Sequence, residues 1–270
     1  MLQLNSRRIP RAMTVAGSDS GGGAGIQADL KTFAALRVYG TSVLTAVTAQ
    51  NTLGVNVVHE LPAPLVAAQI DSIMDDMAAD SVKTGMLLST EIIETVVEKL
   101  QQHRLTSRLV VDPVMVATGG DRLLRQDAVE AIRRELVPLA FVLTPNIPET
   151  EELIGRKVRY LAEARRAAYE IVHELGASSV VVKGGHLDGP AVDIFYDGHD
   201  FRELSAARVE TTSTHGTGCT FASAVAAYLA RGRSPIAAAV GAKRYVTKAL
   251  QRAFPMGKGH GPLNHLYRLW

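Results

Sequence analysis

The most informative stretch of this 270-residue sequence is Ser213-Thr214-His215-Gly216-Thr217-Gly218-Cys219-Thr220. Its two glycines precede a run of small residues, 221–230, that favours a helix. Glycine lets the backbone curl so that several N–H groups point the same way, and the helix adds the positive end of its dipole. The stretch therefore predicts a binding site for a negatively charged group, such as a phosphate in transfer.

Around this stretch, short β-branched runs alternate with amphipathic ones. The predicted strands are Met13–Ala16, Val43–Ala49, Val55–Leu61, Ser81–Met86, Leu109–Asp112, Phe141–Thr144, Val180–Lys183, Val192–Tyr196 and Phe201–Leu204. The predicted helices are Ile26–Leu36, Leu65–Met77, Thr90–Gln102, Asp127–Leu136, Glu149–Ile154, Leu161–Leu175, Thr220–Ala230 and Ile236–Phe254. Such alternation favours an α/β fold, a mostly parallel sheet with helices on both faces. We expect a short extension at residues 1–11 and a single domain over residues 12–270.

Composition narrows the functional class. Cys219 is the single cysteine, which excludes an internal disulfide and suggests a reducing compartment. The net charge is +2 and no basic block is present, so nucleic acid is not the expected partner. One long uncharged stretch, between Arg37 and Glu60, is rich in polar residues and predicts strands rather than a membrane span. We therefore expect a cytoplasmic protein that does not bind membranes.

Polar residues follow five of the predicted strands. They form the groups Gly17-Ser18-Asp19, Gln50-Asn51, Asp112-Pro113, Thr144-Pro145-Asn146 and Lys183-Gly184-Gly185. In open α/β sheets, ligands bind outside the carboxyl ends of the strands. These residues therefore predict one long cleft along that edge of the sheet.

The acids and the lysine of this edge suggest a nucleotide site. Asp112 and Glu149 offer hard oxygen ligands of the kind that Mg²⁺ prefers when it carries nucleotide phosphates. Lys183 could reach a phosphate as a point charge. Each residue also has a structural interpretation: Asp112 as a turn cap, Glu149 as an acid at a helix N-terminus, and Lys183 as an ordinary edge lysine.

The first loop, residues 17–25, contains five glycines and leads into a helix. Gly23, Gly25 and Ala28 fit the dinucleotide pattern G-x-G-x-x-A. However, no Asp or Glu lies between Lys31 and Val58, where that pattern needs a ribose-binding acid. A Walker A loop is absent as well, so an NAD-dependent oxidoreductase is only a distant alternative.

Together these motifs resemble the ribokinase-like superfamily and, more narrowly, the bacterial hydroxymethylpyrimidine/phosphomethylpyrimidine kinases of thiamine biosynthesis. The resemblance extends from about Ala12 to Pro262. It is carried by the glycine-rich first loop and by Asp112-Pro113-Val114-Met115, Asn146-Ile147-Pro148-Glu149, Val182-Lys183-Gly184-Gly185 and Gly216-Thr217-Gly218-Cys219. The stretches Ala16–Asp29 and Thr45–Thr52 are the most specific to it.

The resemblance implies ATP and Mg²⁺ as co-substrates and often a homodimer. It implies a pyrimidine pocket formed by Gln50, Gly17, Ala24, Met86 and Val114. A carboxamide suits such a ring because it offers both a donor and an acceptor. The resemblance also implies a nucleotide site at Lys183, Asn146 and Asp112, with Asp112 and Glu149 acting on the metal through water. The catalytic residues would be Gly216, Thr217, Gly218 and Cys219.

Cys219 departs from the wider superfamily, whose sugar kinases usually place an aspartate there as the base. The pyrimidine kinases share the cysteine. Because a helix N-terminus lowers the pKa of a thiol, we expect a partial thiolate at Cys219. The structural alternative is a small buried residue.

The function that the resemblance implies is ATP-dependent phosphorylation of 4-amino-5-hydroxymethyl-2-methylpyrimidine and then of its monophosphate. A pyridoxal or pyridoxine kinase shares the scaffold and a hydroxymethyl substrate. A non-catalytic sensor of nucleotide or vitamin is an alternative of a different class. We expect the pyrimidine kinase, since the acids, the lysine and the glycines are all present.

Overall fold

The computed structural model describes residues 8–115, 124, 126–187 and 189–269, and nine strands of this part form one sheet. They are β1 (Arg11–Asp19), β2 (Tyr39–Asn51), β3 (Gly54–Glu60), β4 (Ser81–Thr84), β5 (Leu109–Val111), β6 (Val142–Leu143), β7 (Val180–Val182), β8 (Ala191–Tyr196) and β9 (Phe201–Ala206). Their order is β3-β2-β1-β4-β5-β6-β7-β8-β9. The six strands from β2 to β7 in this order run parallel, whereas β3, β8 and β9 are antiparallel to their neighbours. The predicted mostly parallel sheet is confirmed.

Eight helices accompany the sheet within the described residues. They are α1 (Gly25–Ala35), α2 (Ala63–Asp76), α3 (Thr90–Gln102), α4 (Gln126–Ala131), α5 (Ile147–Ile154), α6 (Leu161–His173), α7 (Thr217–Ala230) and α8 (Pro235–Gln251). The helix predicted at Asp127–Leu136 changes type, since α4 continues as a π turn over Ile132–Leu136 and a 3₁₀ turn over Val137–Leu139. Pro138 has no N–H to donate, so regular α-helical bonding does not resume after the π turn.

The helices cover both faces of the sheet, as predicted. Helices α1, α7 and α8 share one hydrophobic core with one face of the sheet, and α2–α6 share the other core. Helix α7 is buried on nearly all sides, because its small residues let it pack against the sheet, α1 and α8 together. No helix in the described part of the chain combines the length and apolarity that spanning a bilayer requires.

Strand β1 lies at the point where the chain changes direction across the sheet. It pairs in parallel with β2 on one side and with β4 on the other. Crossovers that leave a strand in opposite directions open a crevice at its carboxyl end. The glycine-rich loop therefore begins where a ligand can enter.

The N-terminal boundary differs slightly from the prediction. Arg11 already belongs to β1, one residue before the expected start of the domain, and residues 1–7 of the predicted extension lie outside the described residues. The single-domain organisation of residues 12–270 stays a prediction.

Candidate active site

A cleft of about 1010 Å³ follows the carboxyl edge of the sheet. It brings together residues from the ends of six strands and from the start of α7. All of the predicted site residues line it, namely Gly17, Ala24, Gln50, Met86, Asp112, Val114, Asn146, Glu149, Lys183, Gly216, Thr217, Gly218 and Cys219. Their grouping follows from the shared direction of the parallel strands, and their individual roles stay predictions.

The start of α7 forms the backbone curl that the sequence predicts. Gly216 caps the helix with φ of 79°, in the left-handed region that favours glycine. A Cβ at Gly216 would lie 1.9 Å from the carbonyl oxygen of Gly23, so the two loops meet without room for a side chain. The N–H groups of Gly218 and Cys219 donate to no acceptor among the described residues. Two donors at the positive end of a long buried helix thus face the cleft, which suits an anion.

The glycine-rich loop after β1 is organised by Asp19. One oxygen of its carboxylate accepts from the N–H of Gly21 (2.8 Å), and the other accepts from Gly23 (3.0 Å) and Ala24 (2.8 Å). Nε2 of His215 lies 2.8 Å from the second oxygen. Burial would raise the pKa of Asp19, but the hydrogen bond with His215 and the N–H of Ala24 outweigh it and hold the pKa below its usual value. The donors of this loop therefore serve an internal carboxylate.

The Gln50 end of the cleft has a polar side and an apolar side. The Gln50 amide lies 3.1 Å from Oγ1 of Thr48 and 3.3 Å from Nε2 of His215. The apolar side includes Met86, whose methyl carbon would be 2.2 Å from a Cβ at Gly17. A side chain at position 17 would thus displace the methyl group of Met86 from its present position. A flat, weakly polar ring in this pocket would meet an amide on one side and apolar side chains on the other.

Asp112 and Lys183 form an ion pair in the middle of the cleft. Nζ of Lys183 lies 3.1 Å from Oδ1 of Asp112, which is 3.3 Å from the hydroxyl of Thr144. Burial would lower the pKa of Lys183, but the carboxylates of Asp112 and Glu149 outweigh it and raise the pKa above its usual value. Lys183 therefore carries a positive charge at neutral pH.

Glu149 caps a helix and also lines the cleft, so its structural interpretation is confirmed and its role toward a metal stays a prediction. Its Oε2 accepts from the N–H of Asn146 at 2.8 Å, and Oδ1 of Asn146 accepts from the N–H of Glu149 at 2.8 Å, which is a capping box. Burial raises the pKa of Glu149 to about 7; Lys183 opposes this, and the charge of Asp112 adds to it.

The two carboxylates fit a Mg²⁺ site. Asp112 raises the pKa of Glu149, so the two acids repel one another when both are charged, and a divalent cation held by these residues would relieve that repulsion. No cluster of three or more metal-binding side chains occurs in residues 8–115, 124, 126–187 and 189–269. Mg²⁺ typically takes one or two carboxylates and completes its shell with water and phosphate oxygens.

The expectation of a partial thiolate at Cys219 is wrong. Burial raises the pKa of the thiol to about 11, and the carboxylates of Asp112 and Asp29 raise it further. Lys83 and the N–H of Gly25 lower it, but by less. Desolvation of the sulfur is the largest of these effects, so the thiol is protonated at neutral pH.

Sequence reasoning missed a second ion pair near the nucleotide end of the predicted site. Nζ of Lys243 lies 2.8 Å from Asp193, which also accepts from the N–H of Gly184 at 3.1 Å. Asp193 thereby holds the turn that follows Lys183. A lone acid inside the apolar strand run 191–196 was the available signal. The role of His215 beside Asp19 and Gln50 was missed as well, since its partners are distant in sequence.

Comparison with known proteins identifies the family. The family model of phosphomethylpyrimidine kinase matches residues 19–264, nearly the whole chain. The chain belongs to this kinase family. The fold of the kinase is the ribokinase-like fold that the resemblance implied.

Individual relatives agree with this assignment. The kinase is 50% identical over 263 residues to the hydroxymethylpyrimidine/phosphomethylpyrimidine kinase of Rhizobium meliloti, covering 96% of this chain and 98% of that protein. It is 51% identical over 268 residues to the thiamine biosynthesis bifunctional protein of Geobacter sulfurreducens. That match covers 97% of this chain but only 54% of the longer relative.

Among solved structures, the kinase is similar to an ADP complex of Bacillus subtilis pyridoxal kinase. The TM-score is 0.90 at 39% sequence identity, and the match covers 97% of this chain and 99% of that chain. The shared scaffold thus extends to a relative named for a different vitamin.

Proposed function

We propose that this protein uses ATP to phosphorylate the hydroxymethyl group of 4-amino-5-hydroxymethyl-2-methylpyrimidine, and then phosphorylates the monophosphate to the diphosphate. One observation carries the proposal. The N–H groups of Gly218 and Cys219, which have no acceptor among the residues that the structure describes, line the cleft that also holds the Gln50 pocket and the Asp112–Lys183 pair. An anion site with an aminopyrimidine pocket on one side and a charged cluster on the other suits transfer of a phosphoryl group between two bound molecules.

The backbone donors are the main catalytic groups of this proposal. Phosphoryl transfer depends on positioning and on charge stabilisation more than on covalent chemistry. The N–H groups of Gly218 and Cys219 would hold the charge that develops on the transferring group, whereas the N–H of Thr217 already donates to the carbonyl oxygen of Thr214 at 3.2 Å. The positive Lys183 would bind nucleotide phosphates. Asn146 contributes by capping α5 and so fixing Glu149 in the cleft.

Asp112 and Glu149 would hold Mg²⁺. The ion would supply charge neutralisation for the nucleotide phosphates. In the protein itself, the pKa of Glu149 near 7 already includes the opposing effect of Lys183, and it leaves the carboxyl ready to lose a proton when a bound cation favours the charged form.

Cys219 is not an effective general base in this proposal. With a pKa of about 11, its sulfur holds a proton throughout the neutral range. The thiol would contact the reacting hydroxyl, while the backbone N–H groups beside it stabilise the charge. The cysteine is therefore compatible with a reaction in which positioning replaces strong base catalysis.

The direct test is to incubate the protein with ATP, Mg²⁺ and the pyrimidine alcohol, and to resolve the mono- and diphosphate by mass. We expect both products to appear in sequence. Nucleotide and alcohol binding without any phosphorylated product would contradict the proposal and favour the sensor.

A pyridoxal kinase is the second candidate, favoured by the structural match to the Bacillus subtilis enzyme. The kcat/KM values for pyridoxal and for the pyrimidine alcohol, measured side by side, separate the two. The Gln50 amide supports the aminopyrimidine, because it can pair with an amine and a ring nitrogen together. A preference for pyridoxal would overturn the assignment.

We also propose that the protein is a cytoplasmic homodimer, with the β2–β3 ribbon at the interface. Val47 and Val57 are exposed on this ribbon, where Val47 pairs with His59 and Val57 pairs with Ala49. Such an exposed apolar strip is typical of a contact between proteins. Light scattering should report a dimer that Val57→Glu dissociates, whereas Val240→Glu, at an exposed position of α8, leaves it intact.

A further inference from the structure

An ion pair with no exposed surface lies between the sheet and the helices that start at the cleft. Asp29 belongs to α1 and Lys83 to β4, and the side chains of both are 0% exposed. Nζ of Lys83 lies 2.9 Å and 3.1 Å from the two carboxylate oxygens of Asp29. The reaction proposed above makes no use of this pair.

Asp29 connects four elements through its carboxylate. Besides Lys83, it accepts hydrogen bonds from the hydroxyls of Thr14 in β1, at 2.6 Å, and of Ser223 in α7. All three partners are fully buried. The network thus bonds both α1 and α7 to the two central strands, β1 and β4.

Asp29 and Ser223 each lie one helical turn after a residue that lines the cleft. Asp29 follows Gly25, the first residue of α1, by four positions, and Ser223 follows Cys219 by the same spacing. Residues four apart lie on the same face of a helix. The hydrogen bond between Asp29 and Ser223 therefore fixes the separation of the two helix starts, next to the curl at Gly216–Cys219.

The two members of the pair differ in their position relative to the cleft. Lys83 itself lines the cleft. Both hydrogen bonds of its ammonium end on Asp29, and its third N–H has no acceptor in the described part of the chain. Asp29 does not line the cleft, so the positive member of the pair lies on the cleft side.

Stability alone gives no reason for this pair. Replacing a buried ion pair by apolar residues of similar size is often neutral or stabilising by ~1–4 kcal/mol, because desolvation of the charges is expensive. The surrounding core of α1 and α7 is apolar and could accept such residues.

We propose that the Asp29–Lys83 pair positions the phosphoryl-transfer site by holding the first turns of α1 and α7 at a fixed separation and by placing a buried positive charge beneath the curl at Gly216–Cys219. The inference rests on the proposed kinase function. Asp29 and Lys83 act through the backbone donors, so they are positioning residues.

The test replaces both charges at once, in Lys83→Met/Asp29→Leu. We expect a folded protein whose melting temperature is lowered because the buried hydroxyls of Thr14 and Ser223 lose their acceptor. We also expect a kcat reduced by ~10- to 100-fold and a KM for the pyrimidine alcohol within ~3-fold of the wild type. Lys99→Met/Asp71→Leu is the matched control, because this pair, at 2.7 Å, joins α3 to α2 away from the cleft. The control should keep the wild-type kcat.

Two further variants keep the test decisive if the double variant does not fold. Ser223→Ala removes only the bond between the helices. Gly85→Ala keeps both charges but places a Cβ 2.8 Å from Nζ of Lys83, which displaces the ammonium. We expect each to lower kcat without a matching change in KM. The proposal is rejected if a stable double variant has the wild-type kcat, or if both single variants do. The pair would then be only a structural element.

Failure of the proposed kinase function can be distinguished from failure of the positioning role. If the wild type phosphorylates no vitamin alcohol, the proposed function fails. Binding of ADP with aluminium fluoride, a mimic of the transferring phosphoryl group, then reports on the curl directly. Weaker binding in the double variant than in the Lys99→Met/Asp71→Leu control supports the positioning role, and equal binding rejects it.

Discussion

Helices α1 and α7 both begin at the cleft after a glycine-containing turn, yet their N-termini are used in opposite ways. Before α1, the N–H groups of Gly21, Gly23 and Ala24 are bound by the carboxylate of Asp19. At the start of α7, the N–H groups of Gly218 and Cys219 have no acceptor within the described residues. One terminus contains its own anion, and the other is open to an external one.

The comparison shows that a count of glycines does not identify an anion site. The first loop is the richer in glycine, and it is the one already filled. The deciding residue is Asp19 at the end of β1, because its carboxylate accepts hydrogen bonds from the loop that follows it. The filled loop also supports the open one, since Asp19 bonds His215, the residue just before Gly216.

The largest effect should come from closing the open terminus. Gly216→Ala adds a Cβ that would lie 1.9 Å from the Gly23 carbonyl oxygen, so the curl must move. Because displaced donors no longer stabilise the transferring charge, we expect kcat/KM to fall by ~10²–10³-fold. Steady-state kinetics with the pyrimidine alcohol would measure this loss.

Gly232→Ala is the matched control for backbone strain. Gly232 also has a positive φ, of 78°, but no atom lies within 4 Å of its added Cβ. We expect a small loss of stability and an unchanged kcat/KM in this variant. Equal losses of activity in the two variants would show that strain, rather than the curl, explains the first result.

Removing the internal anion should have the next largest effect. Asp19→Asn puts an amide where three N–H groups now meet a carboxylate, so at least one donor loses its acceptor. We expect a loss of ~1–3 kcal/mol in the free energy of unfolding, measured with urea. Asp197→Asn is the control, because Asp197 accepts from His199 and Asp200 in an exposed turn, and the same change there should cost less.

The pH dependence of that loss follows from the lowered pKa of Asp19. A carboxyl with a lowered pKa in the folded state stabilises the protein above its unfolded value, and this stabilisation is lost as the pH falls through the folded value. The difference between wild type and Asp19→Asn should therefore be full at neutral pH and shrink below pH 3.8. A difference that stays constant into acid would mean that Asp19 acts through packing alone.

The smallest effect concerns the side chain of the open terminus. Cys219→Ser leaves the backbone donors in place, and the thiol, with a pKa of about 11, is no base at neutral pH. We expect kcat to fall by less than ~10-fold, below the ~10²–10⁴-fold that a general base contributes. The profile of kcat between pH 6 and 9 should keep its shape. A large loss, or a missing inflection in that range, would restore a base role for Cys219.

Much of the fold could be predicted because each segment carries its own signal. The β-branched runs before Asp112 and Lys183 gave the parallel strands, and the rule that ligands bind at their carboxyl ends gave the cleft. The family motifs gave the pocket residues around Gln50, and the structure places them together in that cleft.

The remaining features depend on contacts between distant segments. Asp29 meets Lys83 only because Thr14 of β1 lies in register with Lys83 of β4. The pKa of Cys219 depends on how completely the packed helices exclude water, which local sequence does not report. The dual role of Glu149 likewise needs its position relative to Asp112.

The contact between His215 and Asp19 joins residues 196 positions apart. The Gly23 carbonyl and Gly216 meet beside it. During synthesis, about four-fifths of the chain must leave the ribosome before these segments can touch, and contacts this distant form late in folding. The nascent protein therefore cannot complete this cleft until the segment that forms α7 is available.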